Sequence, residues 1–407
     1  MSGCFAGKKK SRHSIGQCFE GVAIFGAMDA IRILHLSTER TWRGGEQQIA
    51  YLIESSRAQG IEVTVAVRPG SAFAQWCNDQ QVPSFPVAFA NGLDLMSALA
   101  IKRICRKINA SLVHVHSGKG LSIVYLSVLL GMKAPLVVHR RVDFPIKESG
   151  FSLAKYNHGS VKRIICVSQA IADMVSRSVR FPERVKTVHS GIDFARFNEV
   201  PRSYYLHDEL GLDHSRHLVA NVSAVAPHKD YHTFINVAAK VLSERRDVCF
   251  LIVGGGDLLQ EMKKRVKNLR IEDNVIFTGF RDDIPRMLRE IDIFLLTSET
   301  EGLGTTIIDA MYNAIPVVAT SAGGIPELVE NEKTGFLSEI RDVGGLAESV
   351  NKLLDDNTLA KNMGERARMK SLHFSKEKMA SKVIDIYKEI LGEDPDNHLH
   401  PKKRGTR

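Results

Sequence analysis

No stretch of this sequence stays apolar for the roughly 18 residues that a membrane-spanning helix needs, and none of its six cysteines belongs to a CxxC pair. The first absence excludes an integral helical membrane protein. The second excludes a zinc ribbon or a disulfide framework. Cys4, Cys18, Cys77, Cys105, Cys166 and Cys249 are scattered, several in apolar runs such as Ile164-Ile165-Cys166-Val167, which reads as buried thiols in a reducing compartment. The GxGxxG of a dinucleotide site is missing, which argues against a dehydrogenase. The sole DxD, Asp394–Asp396, lies in a polar tail. What is present is ordinary for a globular chain, 44% hydrophobic and 25% charged over 407 residues. That length is too great for one core, so two domains are expected.

Charge is uneven. Residues 28–200 carry 22 Lys and Arg against 13 Asp and Glu, and residues 201–407 carry 29 against 32. A basic first half suits an anionic acceptor or an anionic membrane face as well as it suits a solvated surface. Residues 1–27 begin like a signal peptide with Lys8-Lys9-Lys10, but Glu20 interrupts a short apolar segment, so they read as a disordered extension and the protein as cytoplasmic.

From residue 31 onward short apolar runs alternate with amphipathic stretches, the pattern of βαβ units on a parallel sheet. Strands are expected at Ile31–Leu36, Glu62–Val67, Leu112–His116, Leu136–His139, Ile164–Val167 and Thr187–His189. A polar, irregular stretch at Phe197–His217 breaks the rhythm. It resumes with Leu218–Ser223, Cys249–Val253, Val275–Thr278, Ile291–Leu296 and Pro316–Ala319, and ends in a helix over Phe374–Leu391. The boundaries follow: a first domain at 28–200, a linker at 201–216, a second domain at 217–373, a closing helix at 374–392 packing back on the first domain, and a disordered tail at 393–407. Two doubly wound sheets in series place a cleft between the carboxyl ends of their strands.

The densest signal is TSETEGLGTTIIDAMYNAIPVVATSAGGIPELVENEKTGFL, residues 297–337. A buried strand ends, the loop Glu301-Gly302-Leu303-Gly304 follows, and a helix starts near Thr305. Glycines let backbone approach a ligand closely, and the free N–H groups of Thr305 and Thr306 at the positive end of a helix suit a diphosphate. Glu301 would repel phosphate, so its carboxylate is better used on sugar hydroxyls. Asp309, about one turn further in, can bridge a ribose diol.

These residues resemble the retaining GT-B glycosyltransferases of family 4, and the resemblance runs from residue 31 to 392. That family carries two glutamates separated by seven residues; here the pair is Glu301 and Asp309. The resemblance implies that Glu301 touches the donor sugar, that Asp309 holds the ribose, and that Gly302, Leu303, Gly304, Thr305 and Thr306 line the diphosphate. It places Lys229, in Ala224-Val225-Ala226-Pro227-His228-Lys229, on the same diphosphate, while the family's arginine position holds Ala224. Arg140 and Arg141 are the candidate compensating cations. Val253-Gly254-Gly255-Gly256 resembles a second glycine loop, which puts Gly254 and Gly256 beside the nucleotide. Thr41-Trp42-Arg43-Gly44-Gly45-Glu46 resembles the family's first-domain loop, with Gly44 and Gly45 at the donor. His114 and His116 resemble its HxH motif, with His116 in the active site. A metal pair of those two histidines is rejected for want of a third ligand nearby.

The implied fold is α/β, two Rossmann-like domains of the GT-B type. The implied reaction moves a sugar from a nucleotide-diphosphate donor to a glycan, lipid-linked or small-molecule acceptor with retention, in cell-envelope or lipopolysaccharide synthesis. No metal, no cofactor beyond the co-substrate, and no nucleic-acid partner is expected; peripheral membrane contact through the basic domain is. The alternatives are a same-fold epimerase or phosphorylase, or a two-domain sugar-binding protein.

Overall fold

The structure is a computed structural model and describes residues 30–147, 150–197 and 201–392. The extension 1–27 and the tail 393–407, with Asp394 and Asp396, lie outside the described residues. The described residues from Ile31 to Gly392 belong to one compact unit.

The first sheet has seven parallel strands, β1 (Arg32–Ser37), β2 (Glu62–Val67), β3 (Ser84–Pro86), β4 (Leu112–Val115), β5 (Leu136–Arg140), β6 (Val161–Cys166) and β7 (Val185–Thr187). Their spatial order is β3-β2-β1-β4-β5-β6-β7. The second sheet has six, β8 (His217–Val222), β9 (Val248–Val253), β10 (Val275–Gly279), β11 (Ile293–Leu296), β12 (Val317–Thr320) and β13 (Gly335–Ser338), ordered β10-β9-β8-β11-β12-β13. Helices cover both faces, so the central strands are largely apolar; every residue of β9 is buried. In each sheet the order reverses beside the first strand, between β1 and β4 and between β8 and β11. A doubly wound sheet opens its ligand crevice at such a reversal. The loops after those four strands carry the glycine, lysine and histidine motifs.

Two elements escaped the sequence reading. The three-residue β3 and the four-residue β13 are too short for a period to show. The stretch read as irregular around residues 197–217 contains the helix Tyr205–Leu210, stopped by Gly211 at φ 66°. Its Leu206 is fully buried, so the expected linker is in part a packed element.

The last helix, Lys376–Leu391, starts two residues later than expected, because the Ser375 side chain accepts from the Lys378 N–H and caps it. Met379, Val383, Ile384 and Tyr387 of this helix pack with Ile33, Ile49 and Leu112 of the first lobe. The Ile192 N–H donates to the Phe374 carbonyl and the Lys376 N–H to the Ile192 carbonyl, each at 2.9 Å.

Candidate functional site

β11 ends in two buried hydroxyl residues that tie the crevice loops together. Thr297 Oγ1 donates to the carbonyls of Lys229 and Asp230 at 3.2 and 3.0 Å. Thr320 Oγ1 holds the Ser298 carbonyl at 2.6 Å. The loop then turns through Gly304, whose φ of 90° is accessible to glycine at little cost, into the helix Thr305–Tyr312. No side chain caps that helix. The amides of Thr305 and Thr306 find no acceptor among the described residues, leaving a bare helix N-terminus facing the crevice.

Lys229 and Glu301 stand beside it and form an ion pair, each side chain about 15% exposed. Ser298 Oγ adds a hydrogen bond to Glu301 Oε2 at 3.3 Å. The resemblance assigns these two groups to different parts of one ligand; the structure holds them against each other. A guest bearing negative charge toward Lys229 and hydroxyls toward Glu301 can separate them while satisfying both.

Asp309 lies within the helix, 8% exposed. Its Oδ1 is buried with no partner. Burial pushes the carboxyl up to about 6, against the pull of Arg196 from the connecting segment. An unsatisfied buried acceptor is costly, and hydroxyl donors from a guest would relieve it.

The second glycine loop packs tightly against its neighbour. A Cβ on Gly254 or Gly256 would collide with the carbonyl oxygen of Ser223 or Val225. Those two glycines are therefore explained by loop-on-loop packing, and Gly255 is the one that faces open space. In the first lobe Gly44 likewise faces open space, whereas Gly45 lies against the Arg141 side chain.

The histidine motif is larger than its sequence suggested. The expectation that His114 and His116 lack a third ligand is overturned: His35 brings a ring nitrogen to within 4.8 Å of theirs. β1 is distant from β4 in sequence but adjacent in the sheet, in the register His35↔His114. His139 of β5 joins them, its ring stacked on that of His114 with centroids 5.4 Å apart. Burial takes His35 down to about 3 and holds His114, His116 and His139 well below the ordinary imidazole range, so all four are neutral. Neutral imidazoles suit a metal ion, but the Arg141 guanidinium 3.2 Å from His116 Nδ1 sets a fixed positive charge against one.

Neither candidate compensating cation extends its guanidinium to Lys229 or Glu301. Arg140 donates to the Phe144 carbonyl and, at 3.2 Å, to the Tyr156 hydroxyl. Arg141 points at the histidines and reaches the Glu301–Gly304 loop through its backbone, its carbonyl packing where Gly302 has no side chain. Sequence reasoning also missed Glu327 of the GGIPE segment. Its carboxylate accepts the N–H groups of Gln169 and Ala170 at 2.9 and 3.0 Å, at the start of the first-lobe helix Gln169–Ser178, and pairs with His189 at 2.6 Å. GGIPE lies within the dense 297–337 segment and His189 at the end of an expected strand, but nothing in one dimension joins them. A cavity of about 680 Å³ lies at the opposite, amino-terminal end of the second sheet, lined by Arg202, His217, Asp292 and Lys361; it shares no residue with this site.

Two family models match the chain, that of the glycosyl transferases group 1 over residues 206–370 and that of Glycosyltransferase Family 4 over residues 42–196. The chain belongs to the family 4 glycosyltransferases. Among relatives of this transferase, the N-acetyl-alpha-D-glucosaminyl L-malate synthase of Bacillus anthracis is 29% identical over 319 residues, covering 75% of this chain and 82% of that one. The UDP-Gal:alpha-D-GlcNAc-diphosphoundecaprenol alpha-1,3-galactosyltransferase of Escherichia coli is 25% identical over 313 residues, covering 73% and 80%. Anabaena HepE in complex with UDP-glucose superimposes with a TM-score of 0.78 at 22% identity, over 88% of this chain and 100% of that one. The glycosyltransferase thus has the GT-B fold. None of its described helices is long and apolar enough to cross a membrane.

Proposed function

We propose that this glycosyltransferase takes a hexosyl group from a nucleoside-diphosphate sugar, without a metal, and passes it with retention to an acceptor hydroxyl in cell-envelope glycan synthesis. One observation carries the reading: an uncapped helix N-terminus, a lysine and an unpartnered buried carboxylate oxygen stand together at the strand-order reversal of the second sheet. The bare amides of Thr305 and Thr306 with Lys229 match a diphosphate, and Asp309 Oδ1 matches a ribose hydroxyl. Gly44, Gly302, Leu303 and Gly304 line the approach, and His116 closes it from the first lobe.

In the reaction Lys229 and the helix amides stabilise charge that develops on the departing diphosphate. That lets the anomeric C–O bond stretch toward an oxocarbenium-like state. Glu301, freed from Lys229, orients the sugar by its hydroxyls. No described side chain is set up as a covalent nucleophile, so retention comes from attack on the face the leaving group vacates, with the leaving phosphate oxygen taking the acceptor proton. UDP-sugars are the donors to try first, since UDP or its sugars appear in the names of the Escherichia coli relative and the HepE complex. Those of the two relatives span a small dicarboxylate and a lipid-linked acceptor. Four buried free thiols, Cys77, Cys105, Cys166 and Cys249, favour the cytoplasmic side, and contact with the membrane face would serve a lipid-linked acceptor.

The test is calorimetric titration of UDP, GDP and ADP into the full chain, followed by acceptor-dependent release of nucleotide from the matching sugar with chelator present. Binding of one nucleotide that Asp309→Ala and Lys229→Ala each weaken at least tenfold supports the reading. Nucleotide release that needs no acceptor sinks it.

A further inference from the structure

Arg141 has no part in the chemistry above, yet the fold brings it to the crevice. His114 pairs with Val137 across β4 and β5, so in parallel register His116 faces His139 one row further up the sheet. Arg141 follows one row beyond, on the same face. The loop holding Gly44 and Gly45 lies over it: a Cβ on Gly45 would stand 3.8 Å from Arg141 Cδ, and one on Gly44 would meet nothing within 4 Å.

Hydrogen bonding around this arginine runs in one direction. A guanidinium only donates, so Nδ1 of His116 and of His139 accept from it, at 3.2 and 3.4 Å. Both rings therefore carry their proton on Nε2. His116 Nε2 donates to His35 Nδ1 at 2.9 Å, which leaves the His35 proton on Nε2. At the ends of this ladder donors outnumber acceptors. His35 Nε2 and Arg141 Nε are buried without a partner, and His139 Nε2 has none among the described residues. Arg141 forms no ion pair with a described carboxylate. Its nearest opposing groups are Glu46 and Tyr387; Glu46 is turned to the amides at the start of its own helix, and the Tyr387 hydroxyl to His114.

A seated cation with surplus N–H donors and no directly paired carboxylate among the described residues is complementary to a group that only accepts and is negative. The guanidinium fork matches the two oxygens of a carboxylate. Because the four imidazoles are neutral, the site offers one positive charge, which suits a singly charged carboxylate group better than a doubly charged phosphate group. We infer that Arg141, with the His139 Nε2–H, binds a carboxylate on the acceptor and so selects acidic acceptors. The inference rests on the first lobe being the acceptor side of the proposed transferase, and it departs from the expectation that Arg141 serves the donor diphosphate.

The experiment is calorimetric titration of the full chain, with and without UDP, using L-malate as a small hydroxy-acid probe and inorganic phosphate and glycerol as controls. Malate should bind at least tenfold more tightly than either control. Arg141→Gln should lose malate at least tenfold while UDP affinity stays within twofold. If Arg141→Gln does not fold, His139→Phe, which keeps the Arg141 charge and removes the ring donor, should weaken malate several-fold. Equal malate binding by wild type and variant overturns the inference, as does preference for phosphate, or a wild type that binds no malate. A loss of UDP affinity in Arg141→Gln also overturns it and returns the guanidinium to the donor. Failure of the donor reading shows separately, as absence of UDP binding to the wild type.

Discussion

Asp309 is a position where occupancy of the site and stability of the empty fold pull in opposite directions. Its carboxyl ionises near 3.8 in an unfolded chain and is held up at about 6 by burial. The sign follows from proton counting. Between about pH 4 and 6 the unfolded chain has lost its proton and the folded one has kept it, so stability falls as pH rises through that window and the penalty is complete above it. A shift of this size corresponds to at most about 3 kcal/mol, and the amide of an asparagine there would have unmet donors of its own. Asp309→Asn should therefore stabilise the ligand-free enzyme by about 1–3 kcal/mol at pH 7.5, a rise in thermal midpoint of about 1–4 °C. The gain should shrink toward nothing at pH 4.5, where the wild-type carboxyl is protonated too. The same substitution should weaken UDP at least tenfold. Thermal unfolding of both proteins at the two pH values decides it; a gap that does not change with pH refutes the argument from burial.

Other perturbations read other parts of the machine. Lys229→Ala should lower turnover at least tenfold on a matched donor, about 1.4 kcal/mol in the barrier, measured under saturating acceptor; unchanged turnover removes Lys229 from the diphosphate. Glu327→Ala strips two amide acceptors from the helix Gln169–Ser178, which keeps its own cap from Ser168. About 2 kcal/mol should then leave lobe closure instead of global stability, seen as a larger radius of gyration by X-ray scattering with UDP bound and a thermal midpoint within about 2 °C of wild type. The Glu327 carboxyl is held below its usual range by burial opposed and outweighed by His189 and the two amides, so its contribution is present above about pH 4.3 and is lost as pH falls through its lowered value. Tyr387→Phe removes the 2.5 Å bond to His114 Nδ1 and should cost about 1 kcal/mol of stability with turnover within twofold, by denaturant unfolding and initial rates.

Much of the fold was legible because its information is local. Period-two and all-apolar runs mark strands such as Val248–Val253, and a glycine-bearing turn before an apolar helix marks Thr305–Tyr312. What could not be read is what depends on sheet order. His35 and His139 look like single histidines in ordinary strands; only the placement of β1 and β5 on either side of β4 gathers them around His114 and His116. Glu327 looks like a surface acid three residues after a glycine pair, and it becomes a cap only when the second lobe docks on the helix after β6. Gly254 and Gly256 were legible as special positions but not as to why, because a glycine that makes room for a neighbouring loop and one that makes room for a ligand have the same spelling.

The contacts between the lobes explain why so much of the site is built without side chains. Gly302 packs on the Arg141 carbonyl, and Gly324 lies against the Ser168 side chain. At each point a Cβ would force the lobes apart. The loop that carries Glu301 is therefore positioned from both sides, by Thr297 and Thr320 within its own lobe and by backbone contact from the other. Closure and assembly of the donor site become one event: until Arg141 and Ser168 arrive, the turn from Glu301 to Gly304 lacks one wall. Lys229 and Glu301, paired with each other in this closed arrangement, are the two groups a donor must part.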